Sequence, residues 1–496
     1  MKTLIGLPVD GRPVVRGQVQ QLVALAEGFA LRCPAVDALG HFRSPADRDA
    51  LAQWLRAQAP EAAAWVLSLD MLVYGGLIPS RFIEDDETLL RVRLGLLREL
   101  KRPGVPLTAF AATMRISNNC VADEEKPYWH PHGADLWAWS FHSDRHAQTG
   151  DADSLTQAEA AAARVPEAIR ADYLATRQRN FAINLTALSL VEEGVIDRLI
   201  MPQDDTAEFG FNIAERRRLQ AEVMARGLSE RVFIYAGADE VMHTLCAWAV
   251  GRLRGDAPLR IQVQPTDTTH WQALMPLYED RLLPLALAAQ LQAVGAEAVD
   301  VQPEALLLLH TQGTAQGDWA MRKPLPEQPG VDAAAWTSLG KGQQHGLPVA
   351  VVDDAHANGG DPVFVAQLAQ RMPLPQLAGY AGWNTSSNRI GSLLAQLVLA
   401  RGAWASPANQ DVLALRLAED LLWQAELRQQ LRDAVSGIGG RTEDQLPPAE
   451  LAARAQALMQ AHANPWLQQH GFAQRVQRAW LPWQRSFEIG LTVERP

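Results

Sequence analysis

The chain has 496 residues, too many for one ordinary hydrophobic core, so two or three domains are expected. Its 48% hydrophobic and 20% charged residues exclude a disordered or fibrous chain, and a formal net charge of −11 argues against nucleic acid and membrane partners, whose anionic surfaces it would repel. Cys33, Cys120 and Cys246 lie too far apart for a disulfide framework or metal knuckle, Asp10 and Arg12 interrupt the apolar start, and no run reaches the roughly 18 apolar residues of a membrane span, so a cytoplasmic protein is expected.

Short β-rich runs alternate with longer helical patterns, the mark of parallel βαβ construction. Leu4–Val9 reads as the first strand, Val15–Gly28 as a helix, Ala30–Val36 as a second strand and Pro45–Gln58 as a helix. Ala63–Leu69 is apolar without alternation, as a strand buried on both faces must be. Asp86–Leu100 carries apolar residues at mainly helical spacing, and Leu107–Met114 is a fourth strand. Residues 116–197 form a polar and helical insertion, followed by strands Arg198–Pro202 and Val232–Ala236. The pattern then restarts: Ile261–Gln264, Ala298–Val301, Ala305–His310, Val349–Val352 and Leu377–Trp383 read as strands, with helices at 283–294, 362–371 and 386–401 and an inserted loop over 314–347. The last 90 or so residues are mostly helical, ending in Trp480–Phe487 and a short tail. Two sets of βα units predict an α/β protein of two flavodoxin-like lobes, doubly wound on parallel sheets, at 1–255 and 256–402, with a C-terminal helical region at 403–496; a single (β/α)8 barrel is the alternative.

Ligands of parallel α/β proteins bind beyond the carboxyl ends of the strands, and those positions are acidic in this chain. The first strand leads into Asp10 and Arg12, the third into Asp70, Tyr74 and Arg81, and the fourth into Arg115. The fifth leads into Asp204-Asp205, the sixth into Asp239-Glu240, one strand of the second half into Asp353-Asp354, and the last into Trp383, Asn384 and Asn388. A single Asp at a strand end is commonly the N-cap of the next helix, which suits Asp239. Asp70 suits it poorly, because Tyr74-Gly75-Gly76 follows and no helix is expected before Asp86.

Clustered carboxylates bind divalent cations, divide into general acid and base, or hydrogen-bond sugar hydroxyls, and Tyr74, Tyr128, Trp129 and Trp383 add rings on which a sugar face can pack. On an extended strand end the side chains of Asp204 and Asp205 point to opposite sides and can serve different parts of one substrate. This pair resembles the adjacent acids of substrate-assisted N-acetylhexosaminidases, where one carboxylate orients the acetamido group and the next protonates the leaving oxygen. His130-Pro131-His132, in a probable loop with His142 and His146 nearby, has chelating residues but no helix-spaced zinc motif. The turn Asn358-Gly359-Gly360-Asp361-Pro362 could present N–H groups to an anion, with an ordinary turn as the simpler reading. The P-loop, GxGxxG, GxSxG and CxxC patterns are absent.

Together LPVDGRPV, LSLDMLVYGGLIPSR, QDDTAEFG, GADEV, the GGD turn and GYAGWNTSSNRIG resemble the bacterial "domain of unknown function 4127" family over nearly the whole chain, from Asp10 to Glu488. The family usually reads Asp-Asp-Arg-Pro at the start, where Gly11 stands here, which speaks against a two-carboxylate role at that turn. The resemblance implies a setting in sugar catabolism and no particular reaction. The expectation is a carboxylate-dependent hydrolase of a small glycoside or amino-sugar derivative. Asp205 is the expected general acid, Asp204 orients the substrate, and Asp70 completes the catalytic set. Asp10, Arg12, Tyr74, Arg81, Arg115, Asp239, Glu240, Trp383, Asn384 and Asn388 are the expected binding residues. No cofactor or bound metal is expected, and a homo-oligomer is left open. The alternatives are a divalent-metal-dependent hydrolase, lyase or isomerase using the same acids, and a non-catalytic sugar-binding or sensing protein.

Overall fold

The computed structural model describes residues 1–325, 330–437 and 442–495. The chain forms two compact units that do not follow chain order. One comprises Met1–Gly11, Ala30–Leu245 and Tyr278–Arg281, the other Arg12–Phe29, Cys246–Leu277 and Leu282–Pro496.

The first unit is built on six strands, β1 (Lys2–Leu7), β2 (Phe29–Arg32), β3 (Ala62–Ser68), β4 (Leu107–Phe110), β5 (Arg198–Gln203) and β6 (Val232–Ala236), in the order β2-β1-β3-β4-β5-β6. β1 pairs in parallel with β3, and β3 to β6 pair in parallel in succession, so these five strands point their carboxyl ends at one edge. β3 is the apolar run the sequence shows, with Trp65, Val66 and Leu67 wholly buried as helices cover both faces. Leu7, Leu107 and Leu199 of β1, β4 and β5 share a core with Leu51 and Leu55 of the helix Arg48–Gln58 and Leu188 and Leu190 of the helix Glu167–Glu192. Each such leucine contributes about 1.5–3 kcal/mol when fully buried.

Local chemistry sets the helix limits. Asp47 accepts hydrogen bonds from Asp49 N and Ala50 N at 3.0 Å and starts Arg48–Gln58 three residues later than expected. The helix expected over Asp86–Leu100 is two, Glu87–Leu94 and Leu96–Leu100, separated at Gly95. The insertion at 116–197 holds three helices, Trp129–Thr149, Ala152–Arg164 and Glu167–Glu192. Gly150 (φ 73°) ends the first, Asp151 caps the second, and Pro166 opens the third. His130 and His132 therefore lie in a helix, kinked at His130, rather than in the expected loop.

The second unit has a five-stranded sheet of β7 (Leu259–Pro265), β8 (Ala296–Ala298), β9 (Ala305–His310), β11 (Val349–Asp353) and β13 (Leu377–Ala381), all parallel, in the order β13-β11-β9-β7-β8. The stretch expected as a loop over 314–347 contains β10 (Gly317–Asp318), which pairs with β12 (His356–Ala357), and the helix Ala333–Gln344; residues 326–329 of it lie outside the described residues. The C-terminal helices Pro407–Arg416, Leu417–Leu427 (a π-helix), Arg428–Ser436 and Pro448–Leu458 share one core with this sheet, through Leu413, Leu421, Trp423 and Leu451 against Leu306, Leu308, Val351 and Tyr380. An antiparallel hairpin, β14 (Arg475–Trp480) and β15 (Gly490–Glu494), stands in the expected helical tail. Its buried Val476 and Ala479 lie three residues apart across a register shift between Val476 and Arg478, so the strict alternation that marks a strand is missing from the sequence.

Candidate functional site

Three strands of the first sheet, β3, β4 and β5, bring acids and arginines to their shared carboxyl edge. β3 ends in Ser68, whose Oγ accepts from Met71 N at 3.1 Å and caps a short helix, Leu69–Tyr74. Asp70 therefore lies in the first turn of a helix, contrary to the expectation that none begins before Asp86. Gly75, at φ 82°, supplies the left-handed residue that ends this helix. The Asp70 side chain is 3% exposed, and its Oδ2 accepts from Ala112 N at 2.9 Å, just beyond β4. Burial pushes its carboxyl up to about 7; the backbone N–H donors pull the other way, and the Asp204 charge adds to the rise. The buried Tyr74 hydroxyl, within electrostatic reach of Asp70, has no hydrogen-bond partner.

Arg81, on the 3-10 turn Pro79–Arg81, is buried. It donates to Asp204 Oδ2 at 2.9 Å, Glu125 Oε1 at 3.3 Å, and Glu124 through both carbonyl (3.1 Å) and carboxylate (3.3 Å). Arg115 donates to Asp205 Oδ2 at 2.8 Å and Glu125 Oε1 at 3.3 Å, and pairs with Glu124 Oε2 at 2.8 Å. Asp205 has φ 29°, so the two aspartates do not continue an extended strand as expected. Each nevertheless meets a different arginine. The Asp205 side chain keeps 42% exposure. Desolvation by the surrounding protein and the neighbouring Asp204 push its carboxyl upward, while Arg115 and the partial contact with water limit the rise.

A layer of further side chains fixes these groups. The helix Glu167–Glu192 sends Arg177 to the Arg115 carbonyl (3.4 Å) and both Arg179 (2.8 Å) and Asn180 (3.0 Å) to the Ser80 carbonyl. Arg43 stacks on Phe82, with its guanidinium 4.4 Å from the ring centroid, and donates to the carbonyls of Ala122 (2.9 Å), Asp123 (3.1 Å) and Glu125 (2.6 Å). It thereby holds the irregular segment that delivers Glu124 and Glu125.

The structure joins Asp70, Tyr74, Arg81, Arg115, Asp204 and Asp205 in this one cluster. Asp10 lies half-buried beyond β1, the sheet neighbour of β3. Asp239 and Glu240 follow β6, beside β5, and the Glu240 carboxylate lies so close over Gly237 (φ 118°) that a Cβ there would meet Oε1 at 2.7 Å. The remaining expected residues belong to the second unit. Arg12 stacks on Trp483 at 4.4 Å and lies 3.8 Å from Glu488. Trp383 tilts against Phe487, the Asn384 carbonyl accepts from Asn358 N at 2.9 Å, and Asn388 Nδ2 donates to Thr385 Oγ1 at 2.9 Å. The helix N-terminus after Gly359-Gly360 is already occupied, because Asp361 Oδ1 accepts from Val363 N at 2.9 Å and Phe364 N at 3.3 Å.

Reading only the residues just after each strand missed Glu124 and Glu125, which sit 14 and 15 residues beyond β4; their adjacency was the available signal. It also missed a buried network at the carboxyl edge of the second sheet. His310, the last residue of β9, contacts Asp361 Oδ2 through Nε2 at 3.1 Å and Thr266 Oγ1 through Nδ1 at 2.9 Å. Asp353 Oδ2 accepts from Tyr380 Oη at 2.8 Å and Asp361 N at 2.7 Å. Burial lowers His356 to about 4 and keeps it neutral. Among the described residues no three of His, Cys, Asp and Glu are grouped so as to hold a metal ion, and no helix is long and apolar enough to cross a membrane. A family model described as a protein of unknown function (DUF4127) matches residues 4–492. No curated protein and no solved structure matches the chain.

Proposed function

Because the chain belongs to the DUF4127 family, whose description names no reaction, we propose from the chemistry of the cluster that it is a carboxylate-dependent hydrolase of a small glycoside or amino-sugar derivative. The observation that carries this reading is the buried Asp70 carboxyl at the carboxyl edge of the first sheet, met at Oδ2 by Ala112 N at 2.9 Å and pushed by burial up to about 7. A general acid is most effective with a pKa near the working pH. In this reading the acid role passes from Asp205 to Asp70: desolvation raises both carboxyls, but Asp205 is paired with Arg115 at 2.8 Å, which favours its charged form, and Asp70 is the higher of the two. In the reaction Asp70 gives its proton to the leaving oxygen as the glycosidic bond breaks, water supplies the new bond to carbon and gives its spare proton to the open Asp205 carboxylate, and proton exchange with solvent returns both groups to their starting forms. Asp204 and Asp205, each fixed by its own arginine, orient the substrate and that water. Asp10, Tyr74, Asp239 and Glu240 are the further binding residues of this reading.

We read each sheet as a flavodoxin-like lobe, supported by the strand orders, which are 2-1-3-4-5-6 in the first and, counted from its own first strand, 2-1-3-4-5 in the second. The three cysteines, with Cys33 and Cys246 buried and all far apart in the sequence, build no disulfide framework, which supports a cytoplasmic location.

The test is Asp70→Asn on a panel of chromogenic and natural-type glycosides. Turnover of substrates with poor leaving groups should fall by about 10²–10⁴-fold, and turnover of activated aryl glycosides far less, because they need no protonation. Equal losses on both would remove the acid role. Wild-type activity should survive a chelator; a loss reversed by a divalent cation would transfer the same carboxylates to a metal-dependent reaction.

A further inference from the structure

The cluster around Arg81 and Arg115 holds more negative charge than its arginines neutralise. Asp70, Asp204, Asp205 and Glu125 surround these two guanidiniums, even with Glu124 set aside. Charges in so buried a place are costly unless paired, since the effective dielectric there is far below that of water. The protein offers one relief, proton uptake by Asp70. A ligand can offer another.

Hydrogen-bonding capacity points the same way. Each carboxylate oxygen is an acceptor; Arg81 and Arg115 already point at carboxylates, and Arg43, Arg177, Arg179 and Asn180 around them are spent on backbone carbonyls or other partners. Gln203, the last residue of β5 and 1% exposed, gives its Nε2 to Thr113 Oγ1 at 2.9 Å and leaves Oε1, an acceptor, without a donor immediately before the aspartate pair. The Tyr74 hydroxyl next to Asp70 is likewise unmet and can accept. A site with acceptors to spare calls for a ligand group that only donates. A hydroxyl brings one donor together with its own acceptor lone pairs, and an anion brings acceptors alone. An ammonium brings three donors, one positive charge and no acceptor. It also needs only ordinary hydrogen-bond distances, whereas a metal ion needs a contracted shell, and no three acidic or metal-ligating side chains among the described residues are so grouped. Asp205 is the open member of the set and provides the approach.

We propose that the substrate of this site carries a free, protonated amine, recognised by Asp204, Asp205 and the unmet Tyr74 hydroxyl within reach of Asp70, so that an unacetylated amino sugar is preferred over its acetamido or neutral counterpart. This rests on the glycoside reading above and adds the substrate class.

Calorimetric titration of the full chain with glucosamine, N-acetylglucosamine and glucose, at pH 6.5 and low salt, tests it. Glucosamine should bind at least about tenfold more tightly than either neutral sugar, with the preference shrinking as salt screens the attraction. Asp205→Asn should reduce the preference by about tenfold while the fold persists, because Asp205 is part-exposed and Arg115 keeps Glu124 and Glu125. Glu125→Gln, which removes a charge but keeps an acceptor for both arginines, is the second variant and should act in the same direction. No preference for glucosamine, including no binding by any of the three sugars, overturns the proposal, as does a preference that neither variant changes. The Asp70→Asn leaving-group assay reads independently: hydrolysis of neutral glycosides without an amine preference leaves the hydrolase and removes the amine, and an amine preference with no hydrolysis does the reverse.

Discussion

Replacing Asp70 by Asn removes a titration without removing an acceptor, so its effect on stability should depend on pH in a calculable way. The folded protein holds the Asp70 proton up to about pH 7, whereas the ordinary value is 3.8. Between those values the folded state binds a proton that the unfolded chain has released, so stability falls as pH rises through this window and is fully present only below it. The difference is some three units, worth about 4 kcal/mol at 1.36 kcal/mol per unit. The 3% exposure of the side chain leaves little solvent screening to reduce that figure. Asn keeps a carbonyl oxygen for Ala112 N and has no proton to lose. Urea denaturation of wild type and Asp70→Asn from pH 4 to 8 isolates the residue, because groups away from Asp70 and its neighbour Asp204 titrate alike in both proteins. The stability of the variant relative to wild type should rise by about 4 kcal/mol across the range. Parallel profiles, differing by less than about 1 kcal/mol in their change, would refute the raised carboxyl and with it the acid assignment.

Arg43→Ala should free the segment carrying Glu124 and Glu125 by deleting donors to three carbonyls and a stack on Phe82. Limited proteolysis should then cut within 119–128 much faster than in wild type, at a stability loss of about 1–3 kcal/mol. Glu419, on the π-helix Leu417–Leu427, is buried beside Asp420 and accepts from Gln18 Nε2 at 2.5 Å; burial first, and then the Asp420 charge, push its carboxyl up. Such a group stabilises the fold at acid pH and loses that contribution as pH rises, so Glu419→Gln should match wild type near pH 5 and exceed it in thermal midpoint near pH 9. A variant melting below wild type at both pH values would show that the carboxylate is needed charged.

Much of the architecture is written locally. β3 and β9 are buried on both faces, so their apolar runs AAWVLS and ALLLLH announce parallel strands without reference to any partner. Asp47, Asp86 and Asp151 start helices because a short acceptor meets N–H groups two or three residues on, a contact within the segment itself. The acids after the strands were legible for the same reason: a parallel sheet presents those positions together whatever the strand order. The boundaries went astray where two local readings competed. Ser68 caps a helix at 69–74 where none was expected before Asp86, and a two-faced hairpin near the C-terminus resembled the helices before it.

What the chain alone could not decide is which acid meets which base. Arg81 and Asp204 are 123 residues apart, Arg115 and Asp205 are 90 apart, and both pairs form only because β4 separates β3 from β5 by a single strand. Glu124 and Glu125 enter by a loop that Arg43 holds from 82 residues away. Whether Asp70 keeps its proton depends on the water excluded by those neighbours, a property of the packed site and not of the aspartate. Sequence determined the elements and the edge where chemistry collects, because both depend on burial patterns within a few residues. Tertiary structure decided the partners and the protonation, because charge pairing and desolvation act through space.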